Sequence, residues 1–323
     1  MSAETGFPAP RVAGPAACPN PVALWLREAR VPFMTASVVP VVLGVAVAVF
    51  ETGLFDFGLF LLTLVGAIFA HAGANMANDY YDTLSGNDGI NRYRSPFNGG
   101  AGLIQAGLLT PCQVHAAALG AFAVALAIGV YLTYQKGPGV LALALAGGLA
   151  AYLYSAGPVR LAYRGVGELA VGASFGPLLV IGAYLVQTGT VSLAAVLASL
   201  PVGLLIAAVL YINQFPDYEA DKAVGKRHWV VRLGTERALP VLAGLVFGAH
   251  LAVVGAVVTG HAPWPVLGAL LTVPMSIKAL RIARAHHASP VELRPANALV
   301  IGLHLMAGLL LAAGFLAAAW GIC

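Results

Sequence analysis

The stretch FGLFLLTLVGAIFAHAGANMANDYYDTLSGND, residues 57–88, changes character two-thirds of the way along. Residues 57–77 are almost wholly apolar, whereas residues 78–88 hold three aspartates and two asparagines. About 20 apolar residues suffice to cross a bilayer as a helix. Carboxylates cannot follow that run into hydrocarbon without great cost. The junction near residue 78 is therefore read as the point where a transmembrane helix leaves the membrane. Asn75, Asn78, Asp79 and Asp82 stand 3, 4 and 7 residues from the first, which places them in one stripe on a helix. The helix is expected to continue past the membrane surface and present amide and carboxylate oxygens along one face. Ser85-Gly86-Asn87 reads as a turn, which would fold Asp88 back toward that face.

The rest of the chain carries the same message. Of 323 residues, 59% are hydrophobic and only 9% charged. A soluble domain carries about 25% charged residues, so this chain lacks the polar surface to face water all round. The mean hydropathy is +0.86. Nine apolar segments are long enough to span: 33–50, 57–77, 114–134, 139–156, 169–187, 191–213, 239–259, 264–280 and 297–320. Connections after the odd spans are short. Those after the even spans are longer and charged. Lys136 is the one basic residue on the first side, and the other 16 of the 17 Lys and Arg lie on the second side or in the N-terminal segment. The positive-inside rule places that second side, and the N-terminus, in the cytoplasm, and the C-terminus outside. The expected organisation is a cytoplasmic N-terminal segment, 1–32, and one nine-helix membrane domain, 33–323. No basic n-region precedes an apolar run at the N-terminus, so no cleavable signal peptide is expected. Cys18, Cys112 and Cys323 are far apart, odd in number and form no CxxC pair, so neither a disulfide framework nor a zinc knuckle is indicated.

A second acidic segment, NQFPDYEADKAVGKRHWVVRLG, follows the sixth span at 213–234. Asn213, Asp217 and Asp221 are spaced by four. Pro216 is expected to open a new helical segment at its first position, with Asp217 and Asp221 on one face. Both acidic segments fall on the same side of the membrane. If they meet, five aspartates converge, and two like charges ~4 Å apart repel by about 4 kcal/mol at an effective dielectric of ~20. Such a gathering needs cations. Oxygen donors without Cys select a hard ion, and Mg²⁺ is the usual one where phosphates complete the shell. Metal-ligand candidates are Asn78, Asp82, Asp88, Asp217 and Asp221, with Asp79 beside them. The competing reading is a pair of solvated acidic loops. His228 is expected to be a loop residue.

Bases flank the acids. Arg92 and Arg94 follow the first segment, Lys222, Lys226 and Arg227 belong to the second, and Arg160 lies after the fourth span. The positive-inside rule alone explains basic loops. A diphosphate, however, would need Arg and Lys on its outer oxygens, so these residues and Asn75 are candidate substrate contacts. FNGGAG at 97–102 lacks the GK[ST] of a phosphate-binding loop, and no nucleotide or nucleic-acid binding is read. Tyr152, Tyr154 and Tyr211 lie near the cytoplasmic span ends. They are either an interfacial aromatic belt or faces that hold a carbocation by cation–π attraction; Tyr154 is the substrate-contact candidate. Most span histidines are read as helix-interface residues. His71 stands apart, two turns before Asp79.

NDYYDTLSGND and DYEADKAVGKR, after spans two and six, resemble the two Asp-rich motifs of the UbiA-type intramembrane prenyltransferases, whose pattern is NDxxDxxxD and then DxxxD. Asn78, Asp79 and Asp82 match the first, and Asp217 and Asp221 the second. The last Asp of the first pattern would fall at Gly86, and Asp88 is the substitute. NGGAGLIQAGLLTP (98–111) and YSAGPVRLAYRGVGEL (154–169) resemble the 1,4-dihydroxy-2-naphthoate branch. The resemblance implies an all-α bundle of nine transmembrane helices with cytoplasmic Asp-rich loops in the cytoplasmic membrane. It implies Mg²⁺-dependent transfer of a polyprenyl group from polyprenyl diphosphate to an aromatic acceptor, with Asp79, Asp82, Asp217 and Asp221 as the catalytic carboxylates. A naphthoate acceptor would place the enzyme in menaquinone biosynthesis. The expected partners are the two substrates and the lipid bilayer, with no obligate protein partner. Other acceptors remain open: 4-hydroxybenzoate, homogentisate, a tetrapyrrole or a glycerol phosphate lipid. A cation-coupled transporter would instead place acids at mid-depth in the spans, where none is found.

Overall fold

A computed structural model describes residues 20–322. Residues 1–19 and 323 lie outside it, and with them the expectation of no signal peptide and most of the proposed N-terminal segment. Among the described residues the regular structure is helical. α1 (Pro21–Glu28) is capped by the Asn20 side chain, which accepts from Val22 N. A left-handed turn at Arg30 and one short 3₁₀ turn lead into α2 (Thr35–Thr52). α3 (Phe57–Leu84) starts on Asp56, whose carboxylate accepts from Leu59 N at 2.9 Å. Its 28 residues measure about 42 Å, more than the ~30 Å hydrocarbon layer. The surplus is the acidic end, as the sequence stripe requires. Gly86, at φ 78°, reverses the chain into the one-turn α4 (Asn87–Ile90), and this turn folds Asp88 back.

α5 (Pro111–Lys136) opens with a capping box in which Thr110 and Gln113 satisfy each other's backbone N–H groups. α6 (Pro138–Leu153) follows after Gly137. α7 (Gly167–Ala173) runs into a π-helical turn, Ser174–Leu178, and then α8 (Leu179–Thr188). Pro177 lies within that turn. α9 (Leu193–Asn213) precedes two short helices, α10 (Tyr218–Ala223) and α11 (Trp229–Leu233). α12 (Thr235–Val258), α13 (Val273–His286, preceded by a 3₁₀ stretch) and α14 (Pro290–Ala319) complete the bundle.

Eight segments are long and apolar enough to cross a membrane, one fewer than the sequence count. The expected fourth span, 139–156, is the 16-residue α6. At about 24 Å it is short for a bilayer. It nevertheless runs from one end of the bundle to the other. Lys136, just before it, donates to Gln187 O at 2.9 Å, while Ser155, just after it, accepts from Asn78 at the acidic end. Pro216 does not open α10 as expected. The helix begins two residues later, with Asp217 in its N-cap position.

The main core lies among α9, α12, α13 and α14, where Tyr211, Leu242, Leu293 and Leu303 are fully buried. A second cluster joins α2, α8, α9 and α14 through Leu43, Val180, Val202 and Phe315. α3 packs mainly on α5. The space left between α2, α3, α6, the π turn and α9 is a cavity of about 290 Å³.

Candidate active site

The cavity has two halves. Its deep half is lined by small and apolar groups, including Ala67, Ala70, Ala151, Phe175 and Leu179. Its mouth is built from the two acidic segments. Asp79, Asp82, Asp88 and Asp221 are all buried there, and Asp217 is partly exposed. Burying this many carboxylates is tolerable only with compensating donors and charges.

Lys226 is the central compensation. Its Nζ lies 2.8 Å from Asp82 Oδ2 and 3.3 Å from Asp221 Oδ1, so one ammonium bridges the two motifs. Burial works against its charge, but Asp82 and Asp221 hold its pKa well above the ordinary lysine value. Asp221 also accepts from Asn87 Nδ2 at 2.7 Å and is 2.9 Å from His228 Nε2. Burial would raise the Asp221 pKa, yet Lys226 and His228 bring it below the usual range. Asp217 accepts from Asn91 at 2.6 Å and Asn98 at 2.5 Å. Burial and the neighbouring Asp221 still push it up to about 6.

Asp79 faces the other way. It pairs with Arg30 through Oδ1 and accepts from Ala101 N at 2.7 Å through Oδ2. The Gly-rich stretch after α4 therefore closes over the site. Gly100, at φ 73°, lies so near that a Cβ there would stand 2.9 Å from Asp88 Oδ2 and 3.0 Å from Asp79 Oδ1. Burial pushes the Asp88 carboxyl up to about 8, with the charges of Asp79 and Asp82 adding to the effect.

The structure separates the sequence candidates. Asn75, Asn78, Asp82, Asp88, Asp217, Asp221, Tyr154 and Lys226 line the cavity. Asn78 donates to both Asp82 Oδ2 (3.1 Å) and Ser155 Oγ (2.9 Å). Arg94 stands behind the Gly-rich stretch, donating to Gly99 O and, at 3.1 Å, Asp88 O. Arg92, Arg160, Lys222 and Arg227 are exposed and outside the cavity wall. Arg160 borders a separate hollow, with its guanidinium over Tyr163, and Lys222 lies over Tyr218. Tyr211 is a core residue against Phe215 and Trp229, not part of the cavity wall. Sequence reasoning missed Arg30, Asn87, Asn91 and Asn98, and it set His228 aside as a loop residue. Only their proximity in sequence to the acidic segments could have flagged the last four.

The donor set suits a hard divalent cation. It is all oxygen, and Asp82 Oδ1 is buried with no hydrogen-bond partner. No group of three or more acidic or imidazole side chains among the described residues is arranged to hold an ion unaided. Magnesium is ordinarily held by one or two carboxylates with substrate phosphates completing the shell, so the residues fit an ion that arrives with a diphosphate.

A helical membrane bundle with a polar, cation-suited mouth over an apolar cavity suits an amphiphilic ligand with an anionic head and an apolar tail. Comparison with known proteins makes this specific. The UbiA prenyltransferase family model matches residues 37–293. A 1,4-dihydroxy-2-naphthoate octaprenyltransferase of Bacillus subtilis is 32% identical over 77% of this chain and 78% of its own. A 2-carboxy-1,4-naphthoquinone phytyltransferase of Synechocystis is 30% identical over 93% of this chain and 95% of its own. Among solved structures, a UbiA homolog from Archaeoglobus fulgidus bound to GPP and Mg²⁺ superposes with a TM-score of 0.60. It is 18% identical over 90% of this chain and 99% of that one. The chain belongs to the UbiA prenyltransferase family and is an enzyme that transfers a prenyl group.

Proposed function

We propose that the protein transfers a polyprenyl group from polyprenyl diphosphate to 1,4-dihydroxy-2-naphthoate, a step of menaquinone biosynthesis, and that it requires Mg²⁺. The observation that carries the reading is the meeting of both acidic segments, bridged by Lys226, at the mouth of an apolar cavity. The relatives named above supply the acceptor class.

In this reading Asp82, Asp88, Asp217 and Asp221, with Asn78, hold the metal, and Asp79 orients Arg30 and the Gly-rich backbone. When bound, Mg²⁺ neutralises charge on the diphosphate and so favours its departure. Lys226 and Arg30 line the same mouth and serve the outer oxygens of the leaving group. The allylic C–O bond breaks, and its electron pair leaves with the diphosphate. The Tyr154 ring at the cavity wall faces the resulting cation. The electron-rich ring of the acceptor then forms the new C–C bond, and the acceptor carboxylate is lost as CO₂. The apolar half of the cavity excludes water from the cation and takes the first part of the tail, whose remainder extends into lipid. Residues 33–323 act as one catalytic membrane domain, set in the cytoplasmic membrane with the acidic mouth on the cytoplasmic side.

Purified protein in lipid nanodiscs, given a polyprenyl diphosphate and a panel of aromatic acceptors with Mg²⁺ or with EDTA, tests the reading. The expected product is a prenylated, decarboxylated naphthoquinol, formed only with the metal. Preference for 4-hydroxybenzoate, or full turnover after exhaustive EDTA treatment, would overturn the acceptor or the metal assignment.

A further inference from the structure

Below its ionic mouth the cavity is apolar except for a few groups. His71 and Ser37 form a pair there, with Ser37 Oγ 3.0 Å from His71 Nδ1. Both are buried, and both line the cavity. Ser174, beside Phe175, adds a third polar group to this wall. The Phe175 ring meets the His71 imidazole edge to face at 4.8 Å between centroids, which fixes the imidazole plane.

A cross-tie between α2 and α3 would need only one ring nitrogen. His71 Nε2 has no partner among the described residues, and it is not sealed in the protein interior. An unpaired polar atom in an apolar wall costs free energy that a ligand's hydrogen bond would recover. The ring is also on the right line. His71, Asn75, Asn78 and Asp82 follow one another at spacings of 4, 3 and 4, and all four line the cavity. The acidic stripe of α3 thus continues inward to His71, seven residues or about 10 Å below Asn78.

The reacting carbon of a prenyl diphosphate lies just inside the mouth, next to its leaving group. The acceptor carbon that it meets must touch it. A planar dihydroxy aromatic placed there has one ring hydroxyl near the new bond and directs the other deeper, along the α3 stripe. We propose that His71, held by Ser37 and Phe175, is the hydrogen-bond anchor for that deep ring hydroxyl of the acceptor. The anchor selects hydroxylated aromatic acceptors and sets their orientation. This inference rests on the prenyl-transfer reading above.

Full-length protein in nanodiscs is assayed with 1,4-dihydroxy-2-naphthoate and with each of its two monomethyl ethers. Wild-type enzyme is expected to discriminate against one ether by at least about tenfold in kcat/KM, because a site built to pair a hydroxyl rejects an analogue lacking it. His71→Ala is expected to raise the acceptor KM at least about tenfold and to lose that discrimination, with the KM for polyprenyl diphosphate unchanged. Ser37→Ala should shift both readouts in the same direction by less. His71→Gln, which keeps a donor and an acceptor, should restore part of the discrimination and serves if the alanine variant does not fold. Unchanged acceptor KM and unchanged ether discrimination in His71→Ala and Ser37→Ala would leave the pair a helix tie and overturn the anchor. Wild-type enzyme that prenylates no hydroxyaromatic acceptor would overturn the functional reading itself, and the anchor with it.

Discussion

Lys226 is the residue through which the two acidic segments meet, and its removal separates charge balance from chemistry. Lys226→Met leaves Asp82 and Asp221 facing each other without their shared cation. Removing one partner of a buried ion pair costs about 3 kcal/mol or more. The variant is therefore expected to melt well below wild type in EDTA and to recover much of the loss with saturating Mg²⁺ and inorganic diphosphate. Equal destabilisation under both conditions would mean that the carboxylates are not the metal's seat. Asp82→Asn and Asp217→Asn keep size but remove charge, and each is expected to insert and purify normally yet lose at least ~10²-fold in prenyl transfer. Near-wild-type turnover of both variants at saturating Mg²⁺ would overturn the metal-site assignment. Protons compete with the metal for the same oxygens. Asp88, pushed up to about 8 by burial and by Asp79 and Asp82, holds its proton below that pH and gives it up above. Mg²⁺ affinity, read by calorimetry, is therefore expected to rise from pH 6 to 8, approaching about tenfold per unit, and then to level off. A flat profile would remove Asp88 from the ion's contacts. The aspartates were legible in the sequence because their helical spacing carries their arrangement. Arg30 was not, because it reaches Asp79 from a left-handed turn 49 positions away in sequence. Nor were Asn87, Asn91 and Asn98, whose donations to Asp217 and Asp221 depend on how two loops pack. The exposed bases Arg92, Lys222 and Arg227 show the converse: a charge near a motif in sequence is not thereby near it in space.

The π turn at Ser174–Leu178 is the element that shapes the cavity wall, since it carries Ser174 and Phe175 to the cavity lining. Such turns interrupt a helix at the cost of its regular hydrogen bonds and often sit at functional sites. Here the interruption is held by close packing on α9. A Cβ added at Gly203 would stand 2.8 Å from Gly172 O, and one at Gly176 would stand 2.6 Å from Gly203 Cα. Gly203→Val is expected to push α9 away from the turn, cost about 1–3 kcal/mol, and lower activity as Phe175 shifts. Gly248→Ala on α12 is the control, since its added Cβ would meet only Leu204 Cδ1 at 3.7 Å. A Gly203→Val protein with wild-type melting temperature and turnover would show that this contact does not hold the turn. Elements of this kind mark the limit of pattern reading. The long spans were legible because nothing but a membrane helix explains 20 apolar residues in a row. Pro177 marks an irregularity in the sequence but cannot say that it is a π turn. The shortness of α6 was hidden because Tyr154-Ser155-Ala156 continue its apolar run while the backbone has already left the helix.

The molecule has two unlike ends. One holds the acidic mouth, the Gly-rich stretch and the short helices α4, α10 and α11. The other is made of tight turns at Gly53, Gly137, Gly189 and Gly260, tied by paired hydrogen bonds between Asp56 and Gln187. Lys136 reaches that tied end as well, through Gln187 O. Among the described residues, the division of Lys and Arg read from the sequence follows this division of ends, with Lys136 at the tied end. The positive-inside rule turns it into an expected orientation: the acidic end toward the cytoplasm, where metal is supplied and the diphosphate leaving group is released, and the glycine turns toward the outside. The count of crossings is tied to the same division of ends. If α6 did not cross, the Arg160 loop and the second acidic segment would both fall on the side opposite the first, and neither the bond from Asn78 to Ser155 nor the one from Lys226 to Asp82 could form. Two single cysteines in a background lacking the native three decide the matter. Ile90→Cys places a thiol at a half-exposed site on α4, beside the mouth, and Thr190→Cys places one in an exposed turn at the far end. In intact spheroplasts a membrane-impermeant maleimide is expected to label Thr190→Cys and to spare Ile90→Cys until the membrane is opened. Labelling of Ile90→Cys alone from outside would invert the orientation. Labelling of both from outside would break the alternation and place the acidic mouth and the far turns on one side, which no odd number of crossings between them allows.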